Sequence, residues 1–351
     1  MKAAAALNLI VQPPNHLTTQ FFEQLGFQPL PEIPLLWYKP IANAEIINLF
    51  RGFSQGLATA ELAGTRFLLT RSPYNDSQIA IEFLQAQPLI KVIQAAKNAW
   101  FLDVIVQQNL FFQYQPIFNL QSGKIFAYEC LARAKDSNLQ IKNGKELVDA
   151  ALETQLIYDF DELARTICLD SIAALKSDQT FFINILPNSL INNPAAFEQN
   201  LKQIERANLK PSQIVFELTE VQAIAGNRPL LKILHQIRQH GFGIAIDDLC
   251  SNTNLDHYFL EYRPDIIKID RQIVHGCSNH PIKGMLLKAI VTSIHEIGCL
   301  AIAEGLENLQ DIKLCRDLNV DMGQGFGLAM PGLILQPESL NHLTPKLKIA
   351  S

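Results

Sequence analysis

The sequence predicts an α/β protein, a (β/α) TIM-like barrel preceded by a small α/β unit. Three observations predict it. From Phe111 onward, short apolar runs alternate with helical stretches, the pattern of parallel strands joined by helices. Most of these runs end in a polar residue, at the position where a barrel gathers its functional groups. The run Gly243-Ile244-Ala245-Ile246 passes straight into two adjacent carboxylates, Asp247 and Asp248, as a strand buried on both faces and opening onto a site would. Such aspartates also cap helices, so the argument rests on recurrence: other apolar runs end at Asn184, Glu217, Lys268, Glu304 and Gln324.

With 351 residues, 48% of them hydrophobic, the chain can build a large domain and a small one. A net charge of -5 offers no basic footprint for duplex nucleic acid or an anionic membrane. No apolar run reaches the ~20 residues of a membrane span, and no signal-peptide pattern opens the chain. Six scattered cysteines without a C-x-x-C pair suit buried, reduced thiols in a cytoplasmic protein. The eight histidines lack zinc-site spacing.

The elements are expected as follows. In residues 1–104, LNLIVQ, LLWYKP and TRFLLTRS read as strands. TTQFFEQLGF and AEIINLFRGF read as helices, and the stretch from Ser77 to Trp100 as a long helix interrupted at Pro88. Nothing there has catalytic spacing, which suggests a regulatory or partner-binding module. The barrel is expected over 105–335 and a tail over 336–351. Gln121-Ser122-Gly123 reads as the turn of a hairpin between FFQYQPIFNL and KIFAYECLAR. A strongly helical run from Glu146 to Leu175 follows. Strands at TFFINIL, QIVFELTE, GIAIDD, DIIKID and CLAIAEGLE are then spaced mostly by helices, and MGQGFGLAMP ends the pattern.

Glu129, Asn184, Glu217, Asp247, Asp248, Lys268, Glu304, Glu307 and Gln324 fall at or near the strand ends. Several carboxylates in one barrel mouth repel one another and raise each other's pKa. Bound cations relieve this, and an oxygen-only set favours Mg²⁺ or Mn²⁺ over zinc. Adjacent aspartates can divide between two ions, a geometry that supports in-line phosphoryl displacement. Lys268 then either balances the excess acid or orients the attacking water and steadies charge on a phosphate; a structural salt bridge is the plainer role.

The motifs resemble the EAL domain family of cyclic di-GMP phosphodiesterases, in order from about residue 110 to 335. Y-Q-P-I stands as Tyr114-Gln115-Pro116-Ile117, and E-A-L-x-R as Glu129-Cys130-Leu131-Ala132-Arg133, with cysteine for alanine. V-N-x-S reads Ile183-Asn184-Ile185-Leu186, and E-x-T-E is intact at Glu217–Glu220. D-D is Asp247-Asp248, and L-K-I-D is Ile267–Asp270. A-E-G-V-E becomes Ala303–Glu307, and Q-G-Y becomes Gln324-Gly325-Phe326.

The resemblance implies a first barrel strand antiparallel to its neighbour, and two metal ions. Glu129, Asn184, Glu217 and Asp247 would hold one, and Asp247 with Asp248 the other. Glu304 would serve as base or partner of the attacking water, with Lys268 beside it. Glu307 and Gln324 would support metals and substrate. Arg133 would grip a phosphate, Gln115 and Leu131 would contact the nucleotide, and Glu220 would anchor the loop after the aspartates. It also implies a homodimer through the barrel. The chain departs from the family in that loop: where D-D-F-G-[TS]-G-Y-S-S-L is usual, Leu249–Asp256 has no glycine, though Asn252 and Asn254 tolerate left-handed backbone better than most residues. The implied function is hydrolysis of cyclic di-GMP to linear pGpG. The alternatives are a cyclic di-GMP receptor acting through a protein partner, and an interaction scaffold that binds no nucleotide.

Overall fold

A computed structural model describes residues 7–31, 33–41, 45–70, 78–136, 139–219, 228–249 and 264–336. The chain forms two compact units: residues up to Asp103 with Leu152–Gln155, and Val104–Ala151 with the chain from Leu156 onward.

In the first unit, strands β1 (Leu7–Gln12), β2 (Gln28–Leu30), β3 (Ile33–Ile41), β4 (Arg66–Thr70) and β5 (Gln87–Pro88) form an antiparallel sheet in the order β2-β3-β1-β4-β5. Alternation along β1 sends Leu9 and Val11 to one core with Phe22, Phe53 and Phe67, and Ile10 to a second with Leu36 and Phe83. Helices His16–Gln24 and Ile46–Gly56 lie where the sequence places them. The helical stretch expected from Ser77 to Trp100 is interrupted at Pro88, as the sequence places it. Pro88 pairs in the edge strand β5, where its missing N–H costs nothing, and helices Leu89–Lys97 and Ala99–Gln107 follow.

The second unit is a closed barrel. Its strands are β6 (Leu110–Asn119), β7 (Ile125–Lys135), β9 (Thr180–Ile185), β10 (Ile214–Leu218), β11 (Gly243–Leu249), β12 (Ile266–Ile269), β13 (Leu300–Ala303) and β14 (Met322–Gly323); the two-residue β8 (Ile141–Lys142) lies outside the ring beside β7. From β7 through β9 to β14 the neighbours are parallel, while β6 is antiparallel to both β7 and β14 and closes the circle. The β6–β7 turn forms as the sequence expects: Asn119 Oδ1 accepts from Ser122 N–H at 2.8 Å, and Gly123 takes φ +70°. Helices Gly144–Glu153, Ile157–Leu175, Pro194–Arg206, Arg228–Gln239, Pro281–Glu296 and Leu309–Asp317 occupy connections between the barrel strands. The predicted single helix from Glu146 to Leu175 is two, because Gln155 turns left-handed at φ +61° between them.

The barrel is filled by one side chain from each strand. Ile117, Ala127, Phe182, Val215, Ala245, Ile266, Ile302 and Met322 form an apolar plug. The five described cysteines are buried and free, and Cys250 lies outside the described residues. Among the described residues, no helix is long and apolar enough to cross a membrane.

Candidate active site

Side chains on a strand alternate between its two faces, so the residue two positions beyond each plug residue points the same way. On the seven strands running from β7 to β14 these are Glu129, Asn184, Glu217, Asp247, Lys268, Glu304 and Gln324. On the reversed strand β6 the equivalent step leads back to Gln115. The barrel thus carries a polar ring on its apolar plug, one residue per strand, and all eight members are among the residues singled out from sequence. Glu304 and Gln324 lie one position past β13 and β14, yet their N–H groups continue the ladder to Ile269 and Ala303 carbonyls at 3.1 and 2.9 Å.

Lys268 is the centre of the ring. Its Nζ donates to Glu217 Oε1 and Glu304 Oε1 at 2.6 Å each. It stands 3.5 Å from Glu129 Oε2 and 3.4 Å from Asp247 Oδ1. The contact with Asp247 is an ion pair without hydrogen-bond geometry, so Asp247 Oδ1 keeps no hydrogen-bond partner. Gln324 Nε2 donates to Glu129 Oε2 and, at 3.0 Å, to Gln115 Oε1; Asn184 Nδ2 reaches Glu129 Oε1 at 3.5 Å.

One ammonium faces four carboxylates here, and burial amplifies the imbalance. Burial pushes the Glu304 carboxyl up to about 8; Lys268 opposes this while Asp247 and Glu129 add to it. Burial likewise drives Glu217 well above the ordinary carboxylate range, against the pull of Lys268. For Lys268 burial acts downward, but the charges of Asp247, Glu129, Glu217 and Glu304 outweigh it and hold the ammonium well above its usual pKa.

The donor set fits a hard divalent cation: carboxylate and amide oxygens, no sulfur, and buried acceptors without partners at Glu217 Oε2, Asp247 Oδ1 and Gln324 Oε1. Among the described residues, however, no group of three or more acidic, His or Cys side chains stands in ligating arrangement. The same carboxylates converge on the Lys268 ammonium instead.

Two cavities adjoin the ring. One of about 240 Å³ opens over Gln115, Glu129, Glu304 and Gln324, with Arg271, Glu307 and Phe326 at its rim. Another of about 300 Å³ runs from Asn184 and Leu131 along apolar side chains of β7, β9 and helices Gly144–Glu153 and Ile157–Leu175. Leu131 thus lines a cavity beside the ring. Arg133, two positions further on β7, donates from Nε to Gln113 Oε1 at 2.8 Å and from a terminal nitrogen to Ala132 O at 2.9 Å. Partial burial lowers its pKa, with Glu129 opposing. Glu307 lines the first cavity, and its carboxylate pairs with Arg271 at 2.7 Å. Asp248 belongs to β11 with its side chain outside the described residues, as are Glu220 and the loop 250–256.

Sequence reasoning missed two supports. Arg271 is one; the Asp270 that precedes it caps a short helix and hid it as part of a terminus. The other is a buried trio. Asp161 accepts from Leu186 N–H at 2.9 Å and from Arg165, whose Nε donates to Asn200 Oδ1 at 2.6 Å. That bond fixes the backbone two residues beyond Asn184. The i,i+4 spacing of Asp161 and Arg165 on a helix was the available signal.

Comparison with known proteins agrees with this architecture. PdeB of Shewanella oneidensis, a cyclic di-GMP phosphodiesterase, is 27% identical over 233 residues, 65% of this chain, and this chain spans 27% of PdeB's length. The Bacillus subtilis YkuI protein, solved with cyclic di-GMP and calcium, superposes with a TM-score of 0.59 at 24% identity, covering 68% of this chain and 60% of YkuI. The EAL enzyme Bd1971, solved with cAMP and cyclic di-GMP, gives a TM-score of 0.64 at 15% identity and covers 94% of both chains. These likenesses support the fold, and the family model for the EAL domain matches residues 98–331: the chain belongs to the EAL domain family.

Proposed function

We propose that the barrel hydrolyses cyclic di-GMP to linear pGpG with the help of Mg²⁺ or Mn²⁺, under the control of the N-terminal unit. The observation that carries this is the polar ring, in which Lys268 and Glu304 meet at 2.6 Å among further carboxylates. Glu129, Asn184, Glu217 and Asp247 would hold one divalent ion and Asp247 with Asp248 a second. Bound there, the ions would neutralise the acids and the phosphodiester. Burial pushes Glu304 up to about 8 against the pull of Lys268 at 2.6 Å; with cations bound beside it, its carboxylate would be held ionised and suited to accept a proton from the attacking water. A P–O bond to water oxygen would form as the P–O3′ bond breaks, and the leaving O3′ would take up a proton from solvent while Glu304 returns its own, giving a 5′-phosphate and a 3′-hydroxyl. Lys268 steadies charge on the phosphoryl oxygens, Arg133 binds the second phosphate, and the cavity lined by Leu131 receives a base.

A second reading, a receptor with weak or no turnover that acts through a protein partner, is favoured by the glycine-free sequence after Asp248. The homodimer and a cytoplasmic site of action belong to the same proposal. Incubation of purified protein with cyclic di-GMP and Mn²⁺, followed by chromatography, decides between them. Accumulating pGpG supports the enzyme; tight binding without pGpG supports the receptor. Replacing residues 249–255 by Phe-Gly-Thr-Gly-Tyr-Ser-Ser should raise turnover more than it changes nucleotide affinity, and no gain would clear the loop of blame.

A further inference from the structure

The turn from Glu304 to Glu307 delivers Glu304 to the ring, and it is fastened unequally on its two sides. On the β14 side the fastening is backbone: Leu306 N–H donates to Gln324 O at 3.1 Å, and Gly327 N–H to Leu306 O at 2.9 Å. A Cβ on Gly325 would come within 2.2 Å of Leu306 backbone, and one on Gly327 within 2.6 Å of Glu307 backbone. On the β12 side there is one backbone bond, Glu304 N–H to Ile269 O, and then Arg271. The Arg271 stem lies across Gly305, where a Cβ would stand 2.2 Å from its Cγ. Its guanidinium pairs with Glu307 at 2.7 Å, while His275 Nδ1 stands 3.6 Å from the other carboxylate oxygen. Gly305 itself is left-handed at φ +67°, a conformation other residues resist.

We propose that Arg271 is a positioning residue for Glu304: by lying over Gly305 and pairing with Glu307, it holds the turn so that the Glu304 carboxylate meets Lys268. This rests on the phosphodiesterase reading above. It gives Glu307 a role at the rim, through Arg271, rather than on a metal. The pair is too exposed to contribute much to stability, with 61% of the Arg271 and 33% of the Glu307 side chain accessible, so removing it should act on turnover more than on folding.

The test is steady-state hydrolysis of cyclic di-GMP with Mn²⁺ by the full chain, wild type beside variants whose folding is checked by circular dichroism. R271A should lower kcat by about 10- to 100-fold with KM nearly unchanged, because a reacting group is displaced while substrate contacts remain. R271K, which keeps the stem and charge, should recover much of the loss. The charge-swapped double variant R271E/E307R should exceed either single variant. Should R271A prove unfolded, E307Q breaks the same pair with the Arg271 stem left in place and should lower kcat in the same direction. Raised KM with intact kcat would make Arg271 a substrate contact and overturn the proposal, as would an unchanged kcat. A wild type without turnover defeats the phosphodiesterase reading and this role together; an active wild type with fully active R271A defeats this role alone.

Discussion

At Lys268 a single ammonium is surrounded by Glu129, Glu217, Asp247 and Glu304, above a plug of hydrocarbon. Removing it leaves buried carboxylates without a counter-charge. Lys268→Met should therefore destabilise the chelator-treated protein by about 3–5 kcal/mol in urea denaturation, and added divalent cation should restore part of that. The pH dependence of stability follows from the acids. The Glu304 carboxyl, ordinarily titrating at 4.5, is raised to about 8, and Glu217 is raised too. Between those pH values the folded chain binds more protons than the unfolded one, so stability falls as pH rises. In chelator, the denaturation midpoint should drop from about pH 4.5 to about pH 8, and Glu304→Gln should flatten part of the slope. A flat wild-type profile would contradict the elevated carboxyls. For the chemistry, Glu304→Gln should cost about 10²-fold or more in turnover while nucleotide affinity changes much less.

At the scale of elements, the strands carry the legible information and their joints do not. Asn184, Glu217, Asp247 and Lys268 could be placed together because an apolar run ending in a polar residue signals both a buried strand and its mouth end. The strand before Gln324 is only two residues long, so the run that announced it was the weakest of the set. The break at Pro88 was legible from the proline itself, whereas the one at Gln155 was not, because a single left-handed residue interrupts otherwise continuous helical periodicity. The supports behind the ring were the hardest to read, since Asn200 joins the i,i+4 pair of Asp161 and Arg165 only after two helices pack. Their importance can be measured. Asp161→Ala strands the Arg165 charge in the interior and frees the Leu186 N–H, and should cost about 3–5 kcal/mol by chemical denaturation. A loss below about 1 kcal/mol, the range of an exposed pair, would mean that water reaches the arginine.

For the molecule as a whole, the proposed metal dependence gives a direct measurement. Asp247→Asn should lose divalent-cation affinity and turnover together, because Asp247 is assigned to both ions. Ca²⁺ in place of Mn²⁺ should inhibit, since it favours longer bonds and more ligands than in-line displacement needs; full activity in excess chelator would exclude the mechanism. The polar ring has a further consequence. Its eight members are drawn one from each strand, from Gln115 on β6 to Gln324 past β14. A fragment ending before β14 holds Glu217, Asp247, Lys268 and Glu304 but lacks the amide that joins Gln115 to Glu129. As the chain leaves the ribosome, acidic residues emerge long before Gln324 can bridge Gln115 and Glu129 across the seam. The ring is therefore completed last at its seam, where the end of the barrel meets its beginning, so a truncation that removes β14 opens the circle at Gln115 and Glu129 first.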